Sequence, residues 1–322
     1  MKKAVFASLT VAVVSALGLS VAQAEVQKAP PSPKPVRRTY TTRYYPVHHA
    51  RGFVRQKSAF QFFATTPRVS FTSPNAKVPA AFSLRNQASP VEDQGQCGSC
   101  WDFSLTTALR DTLLMHDGKD PGRLSFNYLL NCDTQQQGCN GGDFTAASML
   151  VTPQGAPKYG SDGDYTAMDS QCVQEPPVAS AVSYKLLGND GGEFPNSPTP
   201  SFQDIAYVVG VLHQPVSIDI AADYNFESYS DGVYNTCSDE TPSDINHMVV
   251  IEGYDCETSV DQNGNCVFDK NGNLPPGVGT WLIRNSWGTS WGDNGYITMN
   301  ATDSSGNKCD EVASDALYFD VK

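Results

Sequence analysis

One thiol, one imidazole and two carboxamides in this chain have the spacing of an acyl-transfer site. Cys100 stands at the head of an apolar-periodic run, where a helix N-terminus would favour its thiolate. Gln94, six residues upstream, can donate a side-chain N–H to the negative oxygen formed when a nucleophile attacks a carbonyl. His247 heads the run Met248-Val249-Val250, 147 residues after Cys100. An imidazole there can pair with the thiolate and then protonate a leaving amine. Asn285 can fix the imidazole tautomer through its side-chain carbonyl. Taken singly, these residues say little. Cys97-x-x-Cys100 also fits a redox pair, or a zinc site shared with Cys132 and Cys139. A lone His at the head of a strand is most often structural.

In combination they are specific. Gln94 to Trp101, Asn246 to Val250, Gly138-Cys139-Asn140-Gly141-Gly142 and the Asn-Ser-Trp-Gly-x-x-Trp-Gly-x-x-Gly-Tyr run from Asn285 to Tyr296 resemble the papain-like cysteine proteases. The match runs from about Val78 to the C-terminus. In that family the His follows the Cys by roughly 130–150 residues. Asn285 lies 185 residues after Cys100, and an insertion, 255–279, accounts for the excess.

The resemblance implies an α+β, papain-like fold of two halves, the first helical and the second β-barrel-like, with a cleft between them. It implies a thiol endopeptidase working through an acyl-enzyme on Cys100, with His247 as base, Asn285 as orienter and Gln94 as oxyanion donor. No cofactor and no metal is expected. Gly141 and Gly142 would pair with an extended peptide. Phe144, Asp219, Ile245, Met248 and Ser314 would line the pocket for the residue before the scissile one, and Trp287 would cover the Asn–His contact. The family's bridges imply Cys97–Cys139, Cys132–Cys172 and Cys237–Cys309, which leaves Cys256 and Cys266 for a fourth and one thiol over from nine.

Two positions depart from the family. Asp102 stands where a small residue usually follows the Trp, and an acid there would disfavour a thiolate by like charge. Asp219 stands where an apolar residue is usual. It either admits a basic side chain to the pocket or points away. Two other functions stay open at this point: a catalytically degenerate peptide-binding protein, and a disulfide oxidoreductase using Cys97 and Cys100.

Composition bounds the rest. Residues 1–24 read as a signal peptide: Lys2 and Lys3, an apolar stretch to Leu19, then Ala22-Gln23-Ala24. Export, to a periplasm or out of the cell, would permit disulfides. Residues 25–77 carry ten Lys/Arg and one acid, a net of +9; the 22 basic and 34 acidic residues of the whole leave the chain from Val78 at 10 and 33, a net of −23. Opposite charges predict that the basic arm is held by the acidic body. The acidic body argues against nucleic acid and anionic membrane as partners. A monomer acting on polypeptides is expected. The arm opens on a stiff Pro30-Pro31-Ser32-Pro33 tract and reads as a low-order prosegment or linker.

Elements to position the site can be read from periodicity. Helices are expected at Ser99 to Met115, Leu124 to Leu130 and from a Ser201 cap to about His213. Strands are expected at Val216–Ile220, Met248–Tyr254, Thr280–Arg284 and Gly295–Asn300. Helices first and strands later place the helical half at 78–190 and the β-rich half at 191–322, joined by a hinge near Gly188 to Pro200. In the insertion, Asp261-Gln262-Asn263-Gly264-Asn265 and Asp269-Lys270-Asn271-Gly272-Asn273 read as hairpin turns, with calcium loops as the alternative.

Overall fold

The computed structural model describes residues 40–43, 48–190, 198–238 and 240–321. The signal-peptide segment and much of the proposed hinge lie outside the described residues.

Helix α1 spans Ala59–Thr65, α2 Cys100–Asp117, α3 Asn127–Cys132 and α4 Phe202–Gly210. Helix α2 is the axis of the first half. Its residues from Cys100 to Thr112 are all buried, and it stops where Gly118 takes a left-handed φ of 63°. Around it gather Leu124, Leu129, Phe144, Ala147 and Leu150. Helix α3 starts three residues later than expected, because the Ser125 hydroxyl accepts from the Asn127 and Tyr128 amides. Helix α4 opens on a reciprocal cap. The Ser201 hydroxyl accepts from the Asp204 amide, and the Asp204 carboxylate accepts from the Ser201 amide. It ends at Gly210, where the Tyr254 hydroxyl would lie 2.1 Å from an added Cβ.

The strands of the main sheet are β1 (Arg68–Val69), β2 (Ala81–Ser83), β3 (Ser183–Leu187), β4 (Val216–Ile220), β5 (Val233–Tyr234), β6 (His247–Asp255), β7 (Thr280–Arg284), β8 (Tyr296–Asn300) and β9 (Ala316–Asp320). They form one sheet in the order β1-β3-β9-β4-β6-β7-β8-β5, with β2 joined to β6. The sheet does not close, so the barrel-like expectation is corrected to an open, mostly antiparallel sheet. Its register sets the site: His247 pairs with Ile220, and Met248 with Asp219. A second apolar core packs α4 against this sheet through Ile205, Val208, Val209, Ile218 and Ile251.

Three elements are pinned by one buried cation. Arg284 on β7 donates to Asp111 on α2 (2.7 Å), to Glu252 on β6 (3.0 Å) and to the Pro90 carbonyl. Tyr296 donates to the other Glu252 oxygen at 2.8 Å.

All four expected disulfides are present: Cys97–Cys139, Cys132–Cys172, Cys237–Cys309 and Cys256–Cys266. In the insertion, Asp261 Oδ1 accepts from the Asn263 and Asn265 amides, and Asp269 Oδ1 from those of Asn271 and Asn273. Those carboxylates close turns. The same turn recurs at Asp303, with the Ser305 and Asn307 amides.

The largest departure from expectation is the arm. Residues 48–77 were expected to be low-order, yet they are built into the molecule. Ala59, Phe62 and Phe63 of α1 are buried in the α2 core together with Phe53, and β1 adds in parallel to β3.

Candidate active site

Cys100 is the first residue of α2, and it is the unbridged thiol among nine cysteines. An oxidised Cys97–Cys100 pair is therefore ruled out, because Cys97 is bonded to Cys139. That bridge, with the Gly98 amide donating to the Cys139 carbonyl at 3.0 Å, ties the nucleophile loop to the glycines at 141 and 142.

His247 opens β6 and is fully buried. Its Nε2 lies 2.8 Å from Asn285 Oδ1. The Ser286 amide donates to the same oxygen at 2.7 Å, which marks it as the carbonyl end of the carboxamide. Nε2 therefore carries the proton, and Nδ1 presents a lone pair. Nδ1 is buried with no hydrogen-bond partner among the described residues. Trp287 stacks on the ring at 4.7 Å. Gln94 is aimed by Ser286, whose hydroxyl donates to its Oε1 at 2.6 Å, and its amide nitrogen faces the cleft. The sequence reading missed Ser286, although it lies inside the quoted motif.

The cleft is occupied by the chain's own residues 48–56. Gln94 Nε2 and Trp287 Nε1 both donate to the Ala50 carbonyl, at 3.1 and 3.2 Å. Gly142 donates to the Gly52 carbonyl and accepts from the Val54 amide, both at 2.9 Å, while the Phe53 amide donates to the Asn246 carbonyl. Residue 53 thus bridges Gly142 in parallel. Gly141 lines the same wall: a Cβ on it would meet Val54 at 2.5 Å. Gly52 passes so close to the nucleophile loop that a Cβ would lie 1.8 Å from the Gly98 carbonyl oxygen. Phe53 sits against Phe144, ring centres 6.2 Å apart, in one cluster with Ile245 and Met248. Asp219 faces this segment, with Oδ2 3.9 Å from Arg55. Ser314 instead donates its hydroxyl to Glu311.

The cover is latched by charge. Glu227, 4% exposed, accepts from the His49 amide at 2.7 Å and Arg51 at 2.8 Å, and His48 Nδ1 lies 3.1 Å away. Burial alone would raise this carboxyl, but its partners His48, His49 and Arg51 outweigh it and hold it below its ordinary value. His49 stacks on Trp287 at 4.7 Å. One lone acid among 33 carried no sequence signal for this role.

Under the cover the reactive pair is electrically silent. Burial pushes the Cys100 thiol up to about 12, although backbone hydrogen bonds to Met248, Gly52 and Trp101 pull it down. Burial also drives His247 down to about 3, against the Asn285 hydrogen bond. Both are neutral at any physiological pH. Burial also lifts the Asp102 carboxyl well above the usual range, against a hydrogen bond from Thr106, which disfavours a charge on it beside the thiol.

Residues 78–319 match the model of the papain family of cysteine proteases. The chain belongs to that family. It is similar to vignain of Vigna mungo (34% identical over 226 residues; 69% of this chain, 54% of the relative). It is also similar to a cathepsin L-like peptidase of Aedes aegypti (32% over 263 residues; 79% and 69%). The chain spans about half the length of the vignains it matches, 54% and 50% for those of Vigna mungo and Phaseolus vulgaris. Among solved structures it is similar to digestive procathepsin L2 of Tenebrio molitor larval midgut (TM-score 0.65, 25% identity, 85% of this chain and 78% of that one). Bromelain of Ananas comosus in complex with the E64 inhibitor matches at TM-score 0.56 and 26% identity, over 76% of this chain and 100% of that one. The precursor match covers more of this chain than the bromelain match, consistent with a covering segment that belongs to the fold.

Proposed function

We propose that this protein is a thiol-dependent endopeptidase made as a latent precursor, with residues 25–77 as its prosegment and the part from Val78 as its catalytic body. What carries the reading is the cleft itself. A free thiol at a helix start shares it with an Asn-oriented imidazole, and the Gln94 amide already holds a peptide carbonyl, that of Ala50. The prosegment therefore places a peptide group where a substrate's would lie.

With the segment gone, solvent and substrate reach Cys100 and His247, and the burial that keeps both neutral is relieved. Proton transfer from Sγ to Nδ1 then gives thiolate and imidazolium, with Asn285 holding Nε2–H. The thiolate attacks the scissile carbonyl, and Gln94 Nε2 with the Cys100 amide stabilises the oxyanion. The imidazolium protonates the leaving amine, and water hydrolyses the acyl-enzyme. Residues 1–24 would direct export and be removed, giving a secreted or periplasmic enzyme.

An epoxide-type cysteine-protease inhibitor tests the reading. It should label Cys100 alone, slowly in the precursor and rapidly after processing, and block peptide hydrolysis. Hydrolysis that survives complete labelling would refute it.

A further inference from the structure

Arg55 of the covering segment is the clue to what the cleft selects. Its Nη2 donates to Asp315 Oδ2 at 2.6 Å and lies 3.9 Å from Asp219 Oδ2. Both carboxylates are essentially without solvent exposure. The Asp219 and Asp315 side chains are brought together by pairing of their strands: Ala316 of β9 lies across from Ile218 of β4, and the Asp315 amide donates to Asp219 Oδ1 at 2.8 Å. Asp219 Oδ2 has no hydrogen-bond partner among the described residues and lies nearest the guanidinium at that 3.9 Å. The cation also sits over two aromatic rings, Phe53 at 5.1 Å and Phe63 at 5.0 Å, both from the covering segment. Lys308, the other cation that acts on Asp219, is engaged with the Ala313 carbonyl at 2.6 Å.

A buried carboxylate pair is costly unless a cation neutralises it. In the precursor Arg55 supplies that cation, and it departs with the segment. We propose, resting on the endopeptidase reading, that Asp219 and Asp315 form a cation-selective subsite of the cleft. There the processed enzyme takes an arginine or lysine side chain of its polypeptide substrate, in the place Arg55 holds in the precursor. Asp315 is the principal determinant, because it makes the direct bond, and Asp219 supplies a second acidic oxygen 3.9 Å from the guanidinium. An arginine, planar and with several donors, suits two carboxylates better than a lysine.

Two measurements test this. In the full-length chain, Arg55→Ala and Asp315→Asn should each raise amide hydrogen exchange of residues 48–66 about tenfold, and the double variant no further. Additive effects of the two changes would overturn the pairing. In the processed enzyme, peptide substrates differing only in Arg or Leu at the subsite residue should show an Arg preference in kcat/KM. Asp315→Asn should lower that preference about tenfold while sparing the Leu substrate, and Asp219→Asn should lower it less. An Arg:Leu ratio unmoved by either change would overturn the proposal. Retained turnover of the Leu substrate controls for folding. Should no substrate be turned over and Cys100 resist the epoxide, the endopeptidase reading fails, while hydrogen exchange still decides whether the socket binds a cation.

Discussion

Glu227→Gln should unlatch the precursor. The glutamine keeps an oxygen for the His49 amide but loses the charged bond to Arg51. His48, with its side chain 82% exposed, contributes little through solvent. A hydrogen bond to a charged group is worth about 1.5–3 kcal/mol. Arg51 is 29% exposed, which places its bond to Glu227 at the low end, about 1.5–2 kcal/mol. The open fraction should therefore rise about ten- to thirtyfold. The assay is the second-order rate of Cys100 alkylation in the full-length chain at pH 7, normalised to a free peptide thiol. The pH dependence has a definite sign. Glu227 is held below its ordinary value of 4.5, so its contribution to closure is complete above that value and disappears as pH falls through the lowered one. Normalised alkylation of the parent should climb over that acid range, and the variant should lack that component. A Glu227→Gln rate within twofold of the parent, with the same acid climb, would refute the latch.

Gly52→Ala should force the cover away from Gly98, since its Cβ has only 1.8 Å, and speed Cys100 alkylation at least about tenfold; an unchanged rate would mean the backbone does not cross there. Asp102→Asn should leave the acid limb of the processed enzyme's pH–rate profile unshifted, because burial disfavours the charged form of the native carboxyl. A shifted limb would show that Asp102 is charged beside the thiol. Arg284→Met leaves Asp111 and Glu252 buried without their shared cation, so thermal unfolding should reveal a loss of about 3–5 kcal/mol. A melting temperature equal to the parent's would show the triad to be dispensable.

The site was legible because its chemistry is written in short local runs. Cys100, His247 and Asn285 each sit inside a motif whose neighbours fix the backbone. Helix α2 was legible from the apolar spacing of Phe103, Leu105, Ala108 and Leu109, and the later strands from short apolar stretches, continuous in Met248–Ile251 and alternating with Ser217 and Asp219 in Val216–Ile220. The arm was not legible, for a physical reason. Phe53, Phe62 and Phe63 have no helical or alternating period long enough to signal an element. Their order comes from docking into a core built by residues far along the chain. Asp315 was missed for a related reason. It stands one step from Ser314, and only the pairing of β9 with β4 turns its carboxylate toward Asp219. The expectation that Asp102 would trouble the thiolate weighed like charge alone, whereas burial disfavours the charged form of that carboxyl.

The cover also solves a problem of synthesis. Eight of nine cysteines must find partners, and a ninth reactive sulfur invites wrong couplings at every step. While Gly52 lies over the Gly98 loop and Cys100 has no exposure at all, that sulfur is as shielded as a functional group under a chemist's protecting group. On the proposed reading, deprotection and activation are one event, and oxidants reach the sulfur only once the segment has gone.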